Sequence, residues 1–206
     1  VLALFFTLSL FSVSAGAKDF TDNSKINYKE AVDVMSAVKV IDGYAEGDFR
    51  PTATLTRGAA AKIIACMMLG KTTAEALGTQ AAPFKDVPVG STFAGYIAYC
   101  AKEGIISGYA DGTFRPNAAV TREQAAAILY RYAQSKGIDV SVGENTNILS
   151  YVDVQQASEY AIPALQWAVG AGVLNGKNGG RLAPTGTATR AEIAAIMQRW
   201  CENIIK

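Results

Sequence analysis

Three arginines are the residues of this chain that could do chemistry. Thr56-Arg57, Thr121-Arg122 and Thr189-Arg190 recur at offsets of 65 and then 68 residues, each pair five residues after a proline. Each opens a stretch of helical apolar spacing, so the threonine reads as an N-cap and the arginine as the first helical residue. The threonines have a local explanation. Thr189 with Glu192 and Thr121 with Gln124 have the form of a capping box, while Thr56, followed by Ala59, must cap alone. The arginines have none, because a cation at the positive end of a helix dipole is unfavourable by about 0.3–1 kcal/mol. A guanidinium fork beside the unpaired N–H groups of a helix start suits a carboxylate or a phosphate. The alternative is that each arginine pairs with an Asp or Glu of its own or the next repeat. Arg50 and Arg115 add charge just before their prolines, where the third copy has Ala183.

Ahead of each arginine lies a glycine loop: Gly43 to Pro51, Gly108 to Pro116 and a worn third copy, Gly176 to Pro184. Gly43, Gly108 and Gly176 either permit a positive φ after a helix or let a ligand approach the backbone. Tyr44 and Tyr109 either stack on a ligand ring or pack; Phe49 and Phe114 read as core. The loops lack the D-x-D-x-D-G series of a calcium loop and the GxxxxGK[ST] of a nucleotide loop.

The elements that must position these residues come from a threefold repeat, which sets both architecture and number of sites. After the Thr-Arg pairs, Ala60/Ile63/Ile64/Met67, Ala125/Ile128/Leu129/Tyr132 and Ile193/Ile196/Met197/Trp200 each trace one face of an amphipathic helix. A shorter helix precedes each loop, with stripes Tyr28/Val32/Met35, Phe93/Ile97/Cys100/Ala101 and Ala161/Leu165/Ala168/Val169. Each copy begins with an aromatic-x-Asp element, whose Asp22, Asp86 or Asp153 reads as a cap or turn acceptor for the coming helix. Residues 18–70, 84–136 and 151–206 are the expected repeats. The links 71–83 and 137–150 are rich in Gly, Thr, Ser and Asn and read as loops. One such unit cannot bury its apolar face, whereas three can share a core. The expectation is an all-α domain of three tandem helix–loop–helix repeats in a pseudo-threefold, three-pronged arrangement.

Composition narrows the chemistry. The chain has 206 residues, 50% of them hydrophobic, a net charge of +1 and no histidine. That excludes Ser-His-Asp and Cys-His catalysis and His-ligated metals, and the near-neutral balance argues against nucleic acid. No metal, cofactor or catalytic residue is expected. Cys66, Cys100 and Cys201 lack CxxC spacing and read as small buried hydrophobes, with a Cys66–Cys100 disulfide as the alternative. Val1 to Ala17 is uncharged and ends in Ala15-Gly16-Ala17. It reads as the apolar and cleavage regions of a secretory signal peptide, residues 1–17, the remainder of a longer leader lacking its Met and basic start. A buried N-terminal helix is the alternative. The mature form is then exported and holds no membrane span.

Phe-x-Asp-Val, an aromatic-led helix, the loop Gly104-Ile105-Ile106-Ser107-Gly108-Tyr109-Ala110-Asp111-Gly112-Thr113-Phe114 and Thr121-Arg122-Glu123-Gln124 resemble the S-layer homology (SLH) domain. The resemblance covers nearly all of the chain after residue 17 as three tandem copies. It implies a three-pronged helical domain that holds exported proteins non-covalently on the bacterial wall or S-layer, without catalysis. The implied ligand is a secondary cell-wall polysaccharide bearing pyruvate ketals, bound in grooves between repeats; peptidoglycan and other S-layer subunits are the alternative partners. The motif arginine maps to Arg57, Arg122 and Arg190, and the groove glycines map to Gly43, Gly108 and Gly176. Arg122→Ala is expected to weaken wall binding while leaving the fold intact. The departures are Thr-Arg-Gly-Ala in copy one, Gln124 in copy two, and Lys177 and Leu182 in copy three, where a loop tyrosine and phenylalanine belong. An enzyme acting on wall glycans would need paired carboxylates, and no acidic pair stands out in the loops.

Overall fold

A computed structural model describes residues 19–205; the expected leader lies outside them. Seven α-helices follow in order: α1 (Lys29–Ala37), α2 (Arg57–Leu69), α3 (Lys71–Glu75), α4 (Ala94–Lys102), α5 (Arg122–Ser135), α6 (Ile162–Gly170) and α7 (Arg190–Asn203). Among the described residues there is no strand, only isolated bridges.

Three of those bridges lie where the repeats meet. The Leu55 N–H donates to Ala188 O (3.0 Å), the Ala188 N–H to Val120 O (3.1 Å) and the Val120 N–H to Leu55 O (2.8 Å). This closed triangle marks the pseudo-threefold axis, with one vertex from each repeat. The three long helices leave it with their predicted stripes inward, and every residue of those stripes is buried. Both expected capping boxes form, on α5 and α7, and Thr56 caps α2 by accepting from the Ala59 N–H alone.

The helices do not pair within a repeat. α4 packs on α2, α6 on α5, and α1 on α7. Each prong therefore joins the short helix of one repeat to the long helix of the repeat before it, and α1 closes the ring on α7. A single repeat buries neither helix, which is the physical reason for three.

The links are more structured than their composition suggests. The first contains α3, and its Leu77 and Gly78 carbonyls lie against α4 so closely that a Cβ on Gly95 would come within 2.3 Å of Gly78 O. The second holds a 3-10 turn, Ser141–Asn145, packed on α6. All three cysteines carry free, buried thiols, so the Cys66–Cys100 disulfide is absent. Burial pushes the thiols of Cys100 and Cys201 up to about 12, so they stay protonated and behave as apolar core.

Candidate functional site at the repeat junctions

The N–H groups expected to be free at each arginine helix are taken. The Arg57 and Gly58 N–H groups donate to Ala118 O and Pro116 O, those of Arg122 and Glu123 to Gly186 O and Pro184 O, and those of Arg190 and Ala191 to Ala53 O and Pro51 O. The third N–H in each helix goes to the capping threonine. Anion binding there rests on the guanidinium alone.

Each guanidinium crosses into the next repeat. Arg57 donates from Nε to Phe114 O (2.8 Å) and from Nη2 to Ser107 O (3.0 Å). Arg122 reaches Leu182 O (2.9 Å) and Asn175 O (2.6 Å). Arg190 closes the circle on Phe49 O (2.8 Å) and Asp42 O (2.7 Å). The three residues are only 7%, 4% and 8% exposed. Burial disfavours the charged form and lowers the pKa of all three. The ion-pair alternative fails: among the described residues none of the three pairs with a carboxylate. Each is a buried cation held by carbonyls, with Nη1 making no hydrogen bond among the described residues.

Rings complete two of the junctions. Arg57 lies over the Tyr109 and Phe114 rings at 4.9 and 4.4 Å, and Arg190 lies 4.7 Å from both the Tyr44 and Phe49 rings. Arg115 and Arg50 sit on the same two tyrosines, at 4.1 and 3.9 Å. A cavity of about 310 Å³ opens beside Arg57, walled by Tyr109, Gln124, Arg131 and Tyr160. One of about 230 Å³ opens beside Arg190, walled by Tyr44, Lys62, Lys71 and Phe93. Each draws on all three repeats: the arginine from one, the loop from the next, and the ring before the short helix from the one after. Phe93 had been expected on the apolar stripe of α4; it is instead the residue before that helix, turned toward the junction.

A family profile described as the S-layer homology domain matches residues 19–61, 83–126 and 150–194. The chain belongs to the SLH family. It is 30% identical over 195 residues to the surface-layer 125 kDa protein of Lysinibacillus sphaericus, a match covering 92% of this chain and 16% of that protein. It is 28% identical over 164 residues to the cellulosome-anchoring protein of Acetivibrio thermocellus, covering 79% of this chain and 35% of the other. The amylopullulanase of Thermoanaerobacterium thermosulfurigenes shares 30% identity over 181 residues, 87% of this chain and 9% of that enzyme. The chain thus spans about a third or less of these relatives. Family membership places it at the bacterial cell surface, in the wall or S-layer. No helix among the described residues is long and apolar enough to cross a membrane.

The SLH glycines have a different physical basis from the one expected. Gly43, Gly108 and Gly176 are not in the positive-φ region. A Cβ there would lie 2.4 Å from Phe20, 2.4 Å from Phe84 and 2.5 Å from Tyr151. The side-chain space belongs to the ring opening each SLH repeat, and only the backbone of Gly43 and Gly108 lines a cavity. The positive φ falls later, on Arg50, Arg115 and Ala183. Asp22, Asp86 and Asp153 hold it. Each accepts two backbone N–H groups of its own loop: Phe49 and Arg50, Phe114 and Arg115, Leu182 and Ala183, at 2.7–2.9 Å. They cap no helix.

The worn third loop meets Arg122, not the arginine of its own repeat. Lys177 and Leu182 take the places of Tyr109 and Phe114, and the Lys177 Nζ pairs with Glu192 at 2.8 Å. Arg122 and Gly176 thus share the junction that departs furthest from the other two.

Proposed function

We propose that this SLH chain is a non-covalent cell-surface anchor that binds an acidic secondary cell-wall polysaccharide, of the pyruvate-ketal type, at its repeat junctions. The observation that carries the reading is the buried guanidinium of Arg57 and Arg190. Each lacks an anionic partner among the described residues and opens on a cavity walled by rings. A carboxylate at Nη1 supplies the missing charge, and the tyrosine faces take the sugar. Gly43 and Gly108 contribute backbone. The reading is of anchoring rather than glycan hydrolysis. Among the described residues the Arg57 cavity is lined by no Asp or Glu and the Arg190 cavity by Asp42 alone, whereas glycoside hydrolysis takes a carboxylate pair.

A second reading, assembly with other S-layer subunits, draws on Leu149 and Val152, which are 79% and 76% exposed. Co-sedimentation with Gram-positive wall sacculi, before and after acid extraction of their non-peptidoglycan polysaccharide, separates the two. The anchoring reading expects binding that extraction abolishes and that Tyr109→Ala and Arg190→Ala each weaken. Binding that survives extraction points to peptidoglycan, and no binding to either wall points to protein contacts.

A further inference from the structure

We infer that the anchor is bivalent: the Arg122 junction is closed to acidic sugars by the chain's own Lys177–Glu192 ion pair, leaving the Arg57 and Arg190 junctions to take them. The inference rests on the acidic-ligand reading above and assigns its stoichiometry.

The three junctions correspond position by position. Tyr109, Tyr44 and Lys177 follow the loop glycine; Gln124, Ala59 and Glu192 are the third residues of the long helices. At the Arg57 junction, Gln124 Nε2 donates to the Tyr109 hydroxyl at 3.3 Å, a neutral contact that a ligand can replace. At the Arg190 junction Ala59 offers no polar group. At the Arg122 junction the same two positions carry opposite charges. Lys177 Nζ holds one oxygen of Glu192 at 2.8 Å, and the Thr189 N–H holds the other at 3.1 Å. The carboxylate is engaged on both sides and largely covered, its side chain 18% exposed. Burial opposes its ionisation, but Lys177 and the Thr189 N–H win and keep the Glu192 pKa below its ordinary value, so it stays negative at neutral pH.

That charge changes what Arg122 experiences. After burial, the largest influence on Arg57 is Tyr109 and on Arg190 is Tyr44, the loop rings. On Arg122 it is Glu192. At this pair of positions the third junction holds an anion where the other two are neutral; the Asp42 carboxylate that lines the Arg190 cavity is taken by Lys71 at 2.7 Å. An incoming carboxylate must lie against Glu192 or break its pair with Lys177. The sugar also finds no loop ring there, since Lys177 and Leu182 replace the tyrosine and phenylalanine; only Tyr28, the ring before the short helix α1, stays near Arg122. Arg122 keeps its two carbonyl bonds, so it still ties the repeats together.

The test is calorimetric titration of the chain with a monosaccharide bearing a pyruvate ketal. The wild type is expected to take two equivalents. Arg57→Ala and Arg190→Ala should each remove one, and Arg122→Lys none. The double variant K177Y/E192Q should take three, because Gln at this helix position preserves the capping box that Gln124 makes in α5. A thermal melt of each variant confirms its fold. Three equivalents for the wild type, or two for a folded K177Y/E192Q, overturn the inference and leave the anchoring reading intact. No uptake by the wild type overturns the anchoring reading and this inference with it.

Discussion

Arg57 does two things at once, and they are separable. Its guanidinium bonds Phe114 O and Ser107 O of the neighbouring repeat, so Arg57→Ala leaves two carbonyls of a packed junction without donors. The expectation that an arginine-to-alanine change leaves the fold untouched therefore gives way. The loss of stability should be about 2–4 kcal/mol, read as a shift of the urea midpoint, in addition to lost wall binding. Tyr109→Ala should lose wall binding with a smaller shift, since that ring is half-exposed. The three aspartates give a pH signature. Each carboxylate is partly desolvated, which works against it, but its two N–H donors hold the pKa of Asp22, Asp86 and Asp153 below the ordinary value near 3.9. A depressed folded pKa contributes stability in full above the unfolded value and loses it as pH falls through the folded one. Chemical denaturation should show a plateau above about pH 5 and a fall below about pH 4. Asp86→Asn should lower the plateau and shallow the fall. An unchanged profile would mean these bonds do not form in solution.

At the scale of elements, the second residue of α2 and of α5 decides how the ring before a short helix reaches the junction. In α2 it is Gly58, where a Cβ would lie 2.5 Å from the Phe93 ring; the ring occupies that space. In α5 it is Glu123, only 5% exposed, whose carboxylate accepts from the Ser158 N–H (3.0 Å) and hydroxyl (2.9 Å), fixing the turn that carries Tyr160. Glu123→Ala should loosen residues 158–162, seen as faster amide exchange there, and weaken ligand uptake at the Arg57 junction while sparing the Arg190 junction. Gly58→Val should do the reverse. How far these elements could be read in the sequence follows from the range of the interactions. Capping boxes span three residues, and the apolar stripes span two turns, so both were readable. Asp86 binds a loop 28 and 29 residues away. Gly108 makes room for Phe84, 24 positions earlier. Arg122 serves the loop of the next repeat. Recurrence marked each of these residues as important, but no local spacing could name its partner.

The whole molecule is a ring, and that distinguishes it from an open repeat array. In an open array each repeat contacts its neighbours only, and removing an end repeat leaves a shorter, still folded stack. Here α1 from the first repeat forms a prong with α7 from the third, the hydrogen-bond triangle takes one vertex from each repeat, and each binding cavity takes walls from all three. Removing residues 19–56 deletes one helix from the chain but disables more than one repeat. It strips α1 from α7, removes Leu55 from the triangle, and takes from Arg190 both of its carbonyl acceptors, Phe49 O and Asp42 O. The shortened chain should therefore lose its cooperative thermal transition and all ligand uptake, including at the Arg57 junction, whose every wall residue it still contains. Circular dichroism melts and the same titration check this. A truncated chain that melts cooperatively and still takes one equivalent would show that the prongs are independent and that the ring is an arrangement, not a requirement. Restoring residues 19–56 at the C-terminus, through a flexible linker after residue 206, should recover the fold if closure rather than chain order is what stabilises it.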